Sequence, residues 1–324
     1  MIALLTAIAG IYMSSTPGVN LRTGLMPLGE VERETSERVR AHVLAISRDI
    51  GLRGAQRPVN TARAEEYIEL ELKRIGLTWQ QMNFDTKNGV GRNFEVLIPG
   101  ARNPKEIVIV GAHTDSARGS PGANGNASGC AVLIELARNL AGTATGRQVK
   151  LLFFGDGEEP YTASVRAGSH HYVQQALQRK DNIVAMLSVD AVGRYDTNPG
   201  SQSVTFPFNF FYPDTGDFLA FVGNLSSRSL VRNCVQTFRG ATTLPAEGGA
   251  FPTWLPSASN SNHAAFWENG IDAVWVTDTA SLRSDEHATG GDLHDRLDYD
   301  RMARVVTGLT KVVAALANSS GTLQ

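Results

Sequence analysis

The sequence has few cysteines, and those it has lie far apart. Cys130 and Cys234 are the two cysteines among 324 residues, and they form no Cys-x-x-Cys pair. This number and spacing exclude a small scaffold held together by disulfides. Because Cys130 falls on the apolar side of a predicted helix, where cysteine packs as a small hydrophobic residue, we expect a buried free thiol there.

The sequence also lacks an excess of charge of either sign. Its formal net charge is -2, and 19% of its residues are charged. Proteins that bind nucleic acid need a basic surface to contact its phosphates. We therefore expect no nucleic acid as a partner.

The N-terminal apolar run, residues 1–13, is too short to cross a bilayer, which requires about 20 residues. It is similar to the hydrophobic region of a signal sequence or to the end of a clipped anchor, but it lacks preceding basic residues and a clear cleavage site. Two alternatives stay open for residues 1–20. In the first, these residues are a remnant of a signal sequence or membrane anchor, which would mean export or N-terminal membrane association. In the second, they form a short apolar element packed on the domain.

Length and hydrophobic patterning predict one large α/β domain over residues 35–320. Continuous apolar runs are typical of strands covered on both faces, and helical periodicity fills the intervals between them. This alternation predicts a largely parallel sheet in a three-layer α/β/α sandwich. The predicted buried strands are 107–110, 149–154, 184–189 and 273–276, and the predicted helices are 34–50, 64–75, 128–140, 169–178, 218–234 and 299–316.

Polar residues follow four of the predicted strands, where each strand ends. In open α/β sheets ligands bind outside the carboxyl ends of the strands, so we expect these side chains to converge on one crevice. The residues are His113, Asp115, Glu158, Glu159, Asp190 and His287.

Histidine and carboxylate together form a donor set that suits zinc, whose catalytic sites usually take three protein ligands and a water. In the pair Glu158-Glu159, one carboxylate can hold a metal while the other takes a proton from a metal-activated water. Asp115 can orient the imidazole of His113. Taken singly, each residue has a plainer interpretation, because adjacent glutamates are usually a solvated pair and His-x-Asp is often a turn.

The sequence resembles the zinc-dependent aminopeptidases of the bacterial co-catalytic exopeptidase family, which are relatives of glutaminyl cyclases and glutamate carboxypeptidases. The resemblance covers about residues 35–318 and rests on motifs such as VGAHTDSARGSPGANGNASGCAVLIELAR, FFGDGEEP, AMLSVDAVG, NHAAFWENGIDAVWVTDTA and DRLDYDRMARVV. It implies a single α/β/α domain with a mixed, mostly parallel central sheet. It also implies hydrolysis of the N-terminal peptide bond of a peptide substrate.

The resemblance assigns roles to five residues. His113 and Asp190 would hold one zinc, Glu159 and His287 would hold the other, and Glu158 would be the general base. The water between the metals would attack the scissile carbonyl, and Glu158 would pass its proton to the leaving amine.

The family's bridging aspartate is missing from this chain. Family members share one aspartate between both ions, and its place in the turn is occupied here by Gly125. Without it each zinc keeps two protein ligands, one fewer than is usual. Asn124 and Asn126 flank the gap and offer amide oxygens, which are weaker zinc ligands than carboxylates.

Two further departures lie near the predicted centre. Asn262-His263 stand where the family often has Asp-His, which removes a nearby carboxylate. The family's last ligand typically precedes an aspartate by four residues, whereas His287 precedes Asp292 by five. Either this loop has gained a residue, or Ala288 stands at the ligand position.

Three functions therefore remain open from the sequence. The first is a zinc exopeptidase that works with one or two ions, a water or hydroxide replacing the bridge. The second is a catalytically impaired peptidase-like protein that binds peptides, and the third is a glutaminyl-cyclase-like enzyme. The loops 196–216 and 240–262 would form the specificity pocket. Their aromatic residues either give it an apolar lining or, as is more common for aromatic-rich loops, pack on the domain; they are Phe206, Phe208, Phe210, Phe211 and Trp254.

Overall fold

The computed structural model describes residues 8, 10–21, 24–86, 89–155, 158, 167–204, 206–255, 258–319 and 321. These residues form an eight-stranded sheet with the strand order β1-β2-β4-β3-β5-β8-β6-β7. The strands are β1 (Trp79–Thr86), β2 (Gly89–Ile98), β3 (Gly100–His113), β4 (Thr145–Phe154), β5 (Asn182–Val189), β6 (Leu219–Asn224), β7 (Ala246–Phe251) and β8 (Ala273–Thr277).

The four central strands of the sheet are parallel, and each flank joins them through an antiparallel pair. Strands β4, β3, β5 and β8 are neighbours and run in the same direction. On one side β2 pairs antiparallel with β4, and on the other β6 pairs antiparallel with β8. The predicted mixed, mostly parallel sheet is therefore confirmed, and four adjacent strands present their carboxyl ends at one edge.

Helices cover both faces of the sheet. They are α1 (Glu30–Val43), α2 (Pro58–Ile75), α3 (Gly129–Leu140), α4 (Gly168–Arg179), α5 (Arg228–Ala241), α6 (His263–Trp267) and α7 (Tyr299–Asn318). Side chains of α1, α2, α3, α5 and α7 share one core cluster, and those of α4 and α6 belong to a second cluster on the opposite face. The predicted three-layer sandwich is confirmed.

The apolar runs of the central strands are continuous because both of their faces are buried. In β3, Val108 and Val110 point into the first core cluster, while Ile107 and Ile109 point into the second. Successive side chains of a strand point to opposite faces, so a strand between two helical layers needs apolar residues at every position. Cys130 and Cys234 are buried free thiols in the first cluster, as predicted for Cys130.

The predicted helix over 218–234 is wrong in its first part, which forms strand β6. Leu219 and Phe221 point into the first core cluster, whereas Val222 packs at the second, which is the alternation of a strand. A turn follows in which Asn224 Oδ1 accepts the backbone N–H of Ser227 at 2.9 Å, and α5 begins at Arg228. A short strand that runs directly into a helix gives too few residues to separate the two periodicities.

The N-terminal segment lies against α5 and β7. Residues 10–14 are helical, and Arg228 donates to the carbonyl of Tyr12 at 2.8 Å while Arg239 donates to that of Pro17 at 2.8 Å. Among the described helices, none is long and apolar enough to span a membrane. Residues 1–7 and 9 lie outside the described residues, so export or membrane association stays a prediction.

Candidate metal centre

His113 is the last residue of β3, and two carboxylates hold its ring. The side chain is 2% exposed. Its Nδ1 lies 3.2 Å from Asp115 Oδ1, and its Nε2 lies 3.3 Å from Asp190 Oδ1. Asp190 directly follows β5, the neighbour of β3, and this is why the two side chains meet.

Asp115 also fixes the residue that follows the neighbouring strand β4. Its second oxygen, Oδ2, accepts the backbone N–H of Glu158 at 3.0 Å. The carboxylate of Glu158 approaches the other side of the same imidazole, with Oε1 3.8 Å from His113 Nε2. One aspartate therefore orients the histidine and anchors the proposed base. Glu159 lies outside the described residues, so its expected role as a ligand stays a prediction.

The crevice shifts the pKa values of its ionisable groups. Burial raises the pKa of Glu158 to about 7, aided by the negative charges of Asp115, Asp190 and Asp292 and opposed by His113. Burial alone would lower the pKa of His113, but Asp190, Asp115 and Glu158 outweigh it and hold that pKa well above its usual value. Burial opposes ionisation of Asp190 too, yet His113 keeps its pKa below the usual value.

The turn before α3 is held by the side chains of its two asparagines. Asn124 Oδ1 accepts from the backbone N–H of Gly193 at 2.8 Å, and its Nδ2 donates to Asp278 at 2.8 Å. Asn126 Oδ1 accepts from the N–H of Gly129 at 2.9 Å, and its Nδ2 donates to the carbonyl of Val189. Both amides thus hold the turn against the end of β5. The two amide oxygens that flank Gly125 therefore accept backbone hydrogen bonds.

Asp292 joins this turn to the loop after β8. Its Oδ1 accepts the backbone N–H of Asn124 at 2.7 Å, and its Oδ2 accepts that of Gly125 at 3.0 Å. The same loop carries His287, whose Nδ1 is buried and has no hydrogen-bond partner among the described residues. The imidazole lies beside Gly125, since a Cβ there would be 3.0 Å from His287 Cε1. Of the two expected alternatives, His287 therefore faces the turn, and Ala288 has the left-handed φ of 59°.

Arg53 is a structural residue of the site that no sequence motif indicated. It is 3% exposed. Its guanidinium donates to five backbone carbonyls, which lie in the loop after His113 and in the segment that continues α1. The acceptors are those of Ile46, Gly51, Thr114, Pro121 and Gly122, at 2.7–3.1 Å.

His263 lies near the crevice but has a packing role. Its ring stacks on Trp275 with 5.6 Å between centroids, and its Nε2 lies 2.7 Å from the carbonyl of Ala258. Burial lowers its pKa to about 4, so it is neutral at pH 7. Trp275 in turn donates its indole N–H to the backbone carbonyl of Asp190 at 3.3 Å.

The donors of the crevice suit a zinc ion. Tetrahedral bonds of about 2.0–2.1 Å place two ligand atoms about 3.3 Å apart, and His113 Nε2 and Asp190 Oδ1 have this separation. The unpartnered Nδ1 of His287 is a further buried donor. Within the described residues no three His, Cys, Asp or Glu side chains enclose a site by themselves. The predicted set includes Glu159, which lies outside them.

An α/β/α sandwich with a histidine–carboxylate crevice at the carboxyl ends of its parallel strands has the architecture of a zinc exopeptidase. Comparison with known proteins makes this class specific. The model of peptidase family M28 matches residues 93–313, which include every described residue of the site except Arg53. The chain belongs to this family, and the resemblance read from the motifs is confirmed.

Similar proteins agree with this assignment. The uncharacterized protein YfbL of Escherichia coli is 32% identical over 292 residues, covering 87% of this chain and 88% of YfbL. An aminopeptidase of Pseudomonas aeruginosa is 34% identical over 206 residues, covering 61% of this chain, which spans only 34% of that longer protein. The structure of BSAP, a zinc aminopeptidase from Bacillus subtilis, shares the fold, with a TM-score of 0.69, 14% identity and coverage of 88% of this chain and 95% of that one.

Proposed function

We propose that the chain is a metal-dependent aminopeptidase that removes the N-terminal residue from peptides. The observation that carries the proposal is the arrangement of His113, Asp190 and Glu158 in a chain of a peptidase family. The first two have ligand atoms 3.3 Å apart, and a carboxylate oxygen of the third lies 3.8 Å from the same imidazole nitrogen. The second metal ligand and the base therefore both lie within 4 Å of the same atom, His113 Nε2.

His113 and Asp190 would hold one zinc, and His287 with Glu159 would complete this site or hold a second ion. Bound zinc would polarise the scissile carbonyl and lower the pKa of a coordinated water. Asp115 orients the coordinating nitrogen of His113 through Nδ1, which fixes the tautomer of the ring.

Glu158 is the general base of the proposed reaction. It would take a proton from the attacking water and deliver it to the nitrogen of the leaving peptide as the C–N bond breaks. A group that both accepts and donates a proton works best when its pKa is near the working pH. Burial raises the pKa of Glu158 to about 7 in the metal-free crevice, and a bound zinc ion would lower it from there.

An apolar cavity of about 160 Å³ adjoins the crevice, and we assign to it the side chain of the substrate's N-terminal residue. Its wall includes Trp275, whose indole N–H donates to the backbone carbonyl of Asp190. One tryptophan therefore contacts both the cavity and a proposed metal ligand. An apolar cavity of about 150 Å³ can bind benzene, so leucine and phenylalanine side chains fit this volume. Of the five aromatic residues expected to line the pocket, Phe208 does so. Phe211 is half-buried outside the lining, and Phe206, Phe210 and Trp254 are exposed.

Aminoacyl reporter substrates test the proposal. We expect the zinc-loaded protein to release leucine and phenylalanine at least about 10-fold faster than glutamate or lysine, because burying one apolar side chain contributes about 1.5–3 kcal/mol. Chelation should abolish release, and zinc should restore it. Failure to cleave any reporter, with peptides still bound, would instead support the binding-module reading. Conversion of N-terminal glutamine to pyroglutamate would support a cyclase.

A further inference from the structure

The backbone at position 125 does not require glycine. Gly125 has φ of -110° and ψ of 83°, and its negative φ is open to residues with side chains. Glycine is needed for conformation where φ is positive, which is not the case here. What Gly125 supplies to the turn is therefore space.

The imidazole of His287 occupies that space. A Cβ at position 125 would lie 3.0 Å from His287 Cε1, 3.6 Å from His287 Nδ1 and 3.7 Å from Asp292 Oδ2. Carbon atoms in contact are normally about 3.5–4.0 Å apart, so even alanine would press on the ring. Aspartate would add three more atoms and place a second carboxylate beside Asp292.

The backbone of the loop that carries His287 is held against the turn. Asp292 bonds to the backbone N–H groups of both Asn124 and Gly125, and this fixes the loop against the turn. Within the loop, the N–H of His287 donates to the carbonyl of Ser284 at 3.2 Å, and the N–H of Asp292 donates to that of Thr289 at 3.1 Å. The backbone of His287 is thus held beside residue 125, and its imidazole can leave that position only by rotation of the side chain.

We infer that Gly125 and His287 are a matched pair, in which the imidazole takes the volume that any side chain at position 125 would need. His287 Nδ1, buried and without a partner among the described residues, is the donor atom this arrangement brings to the crevice. The centre therefore uses an imidazole where a carboxylate at position 125 would otherwise reach. Restoring a carboxylate there weakens the centre, because it displaces His287. This inference rests on the proposed metal centre.

Zinc binding to the purified chain tests the pairing without reference to activity. The variants are Gly125→Ala, Gly125→Asp, and each of them combined with His287→Ala. Zinc affinity is measured by chelator competition, the bound ions per chain by elemental analysis, and folding by thermal unfolding. Gly240→Ala is the matched control, because that glycine has a negative φ and open space around its α-carbon.

We expect wild type to bind zinc most tightly, Gly125→Ala about 10-fold more weakly, and Gly125→Asp more weakly still, with Gly240→Ala unchanged. If aspartate at position 125 only added a ligand, Gly125→Asp would bind zinc more tightly than Gly125→Ala. In the His287→Ala background the ring is gone, so aspartate at position 125 should now bind zinc more tightly than alanine.

The order of affinities decides the matter. Tighter binding or a second bound ion in Gly125→Asp would overturn the pairing, as would equal affinities of wild type and Gly125→Ala. If Gly125→Asp does not fold, the comparison of Gly125→Ala with the two double variants still decides it. Absence of zinc binding to the wild type would overturn the proposed function and the pairing together, whereas zinc binding insensitive to residue 125 would overturn the pairing alone.

Discussion

Replacing Asp115 by asparagine tests whether one carboxylate positions both a metal ligand and the base. Asp115 Oδ1 faces His113 Nδ1 at 3.2 Å, and Oδ2 accepts the N–H of Glu158 at 3.0 Å. Asparagine has one oxygen, so only one of these contacts can survive. If its oxygen faces Glu158, its NH₂ donates to Nδ1 and leaves the proton on Nε2, the atom that should coordinate. If the amide turns round, two donors face each other at Glu158.

The expected cost follows from these contacts. Loss of a carboxylate that orients a coordinating histidine typically lowers metal affinity by about 10–100-fold, which corresponds to about 1.4–2.7 kcal/mol. Turnover at saturating zinc should also fall, because either His113 keeps a proton on Nε2 or Glu158 loses its backbone anchor. Zinc affinity would be measured by chelator competition, and the proton on the His113 ring by nitrogen NMR.

Glu135→Gln is the matched control for this experiment. Glu135 is also a buried carboxylate beside a histidine, with Oε1 3.2 Å from His42 Nε2, but it contacts none of the crevice residues described above. The Glu135→Gln substitution should leave zinc affinity unchanged. A zinc affinity in Asp115→Asn within twofold of the wild type, or an equal loss in Glu135→Gln, would refute the positioning role of Asp115.

Three further predictions concern other parts of the chain. Glu158→Gln should lower kcat by about 10²–10⁴-fold in a reporter assay while zinc content and KM change little, because a proton-transfer group is removed from a centre that is otherwise intact. Glu135→Gln should lower the free energy of unfolding at pH 7 by about 1–2 kcal/mol. Solvent weakens its ion pairs with Arg38 and Arg138, because both arginines are one-third exposed. Burial would raise the pKa of Glu135, but its hydrogen bonds to His42, Arg38 and Arg138 lower it from 4.5 to about 2. The ionised Glu135 therefore stabilises the fold above pH 4.5. In urea titrations the difference between variant and wild type should vanish as the pH falls from 4.5 towards 2. Arg53→Lys should cost about 2–4 kcal/mol in the same assay, because an ammonium cannot reach five carbonyls.

Each of these predictions has an outcome that contradicts it. Unchanged kcat in Glu158→Gln would remove it as the base. A pH-independent effect of Glu135→Gln would show that its packing, and not its charge, stabilises the fold. An unfolding free energy for Arg53→Lys within 0.5 kcal/mol of the wild type, the usual range for surface substitutions, would mean that its hydrogen bonds are replaced by water.

The sequence predicted the parts of the site that depend on strand ends. His113 and Asp190 follow apolar runs that are typical of central strands, and the parallel arrangement of such strands brings their ends together. It could not predict Arg53 in the same way, because the carbonyls that bind it in the loop after β3 lie 61–69 residues away and leave no pattern in the sequence. The strand β6 was missed because six residues leading into a helix do not reveal their period. The roles of Glu159 and of His287 as ligands stay predictions.

The two backbone bonds of Asp292 have a consequence for exchange of protons with solvent. The amides of Asn124 and Gly125 lie in a buried turn, yet both donate to one side chain of a loop whose residues 288–290 are exposed. Buried amides usually exchange through opening of their own element, but these two are released when that loop lifts. They should therefore show the same opening free energy, and that free energy measures how often the loop after β8 opens.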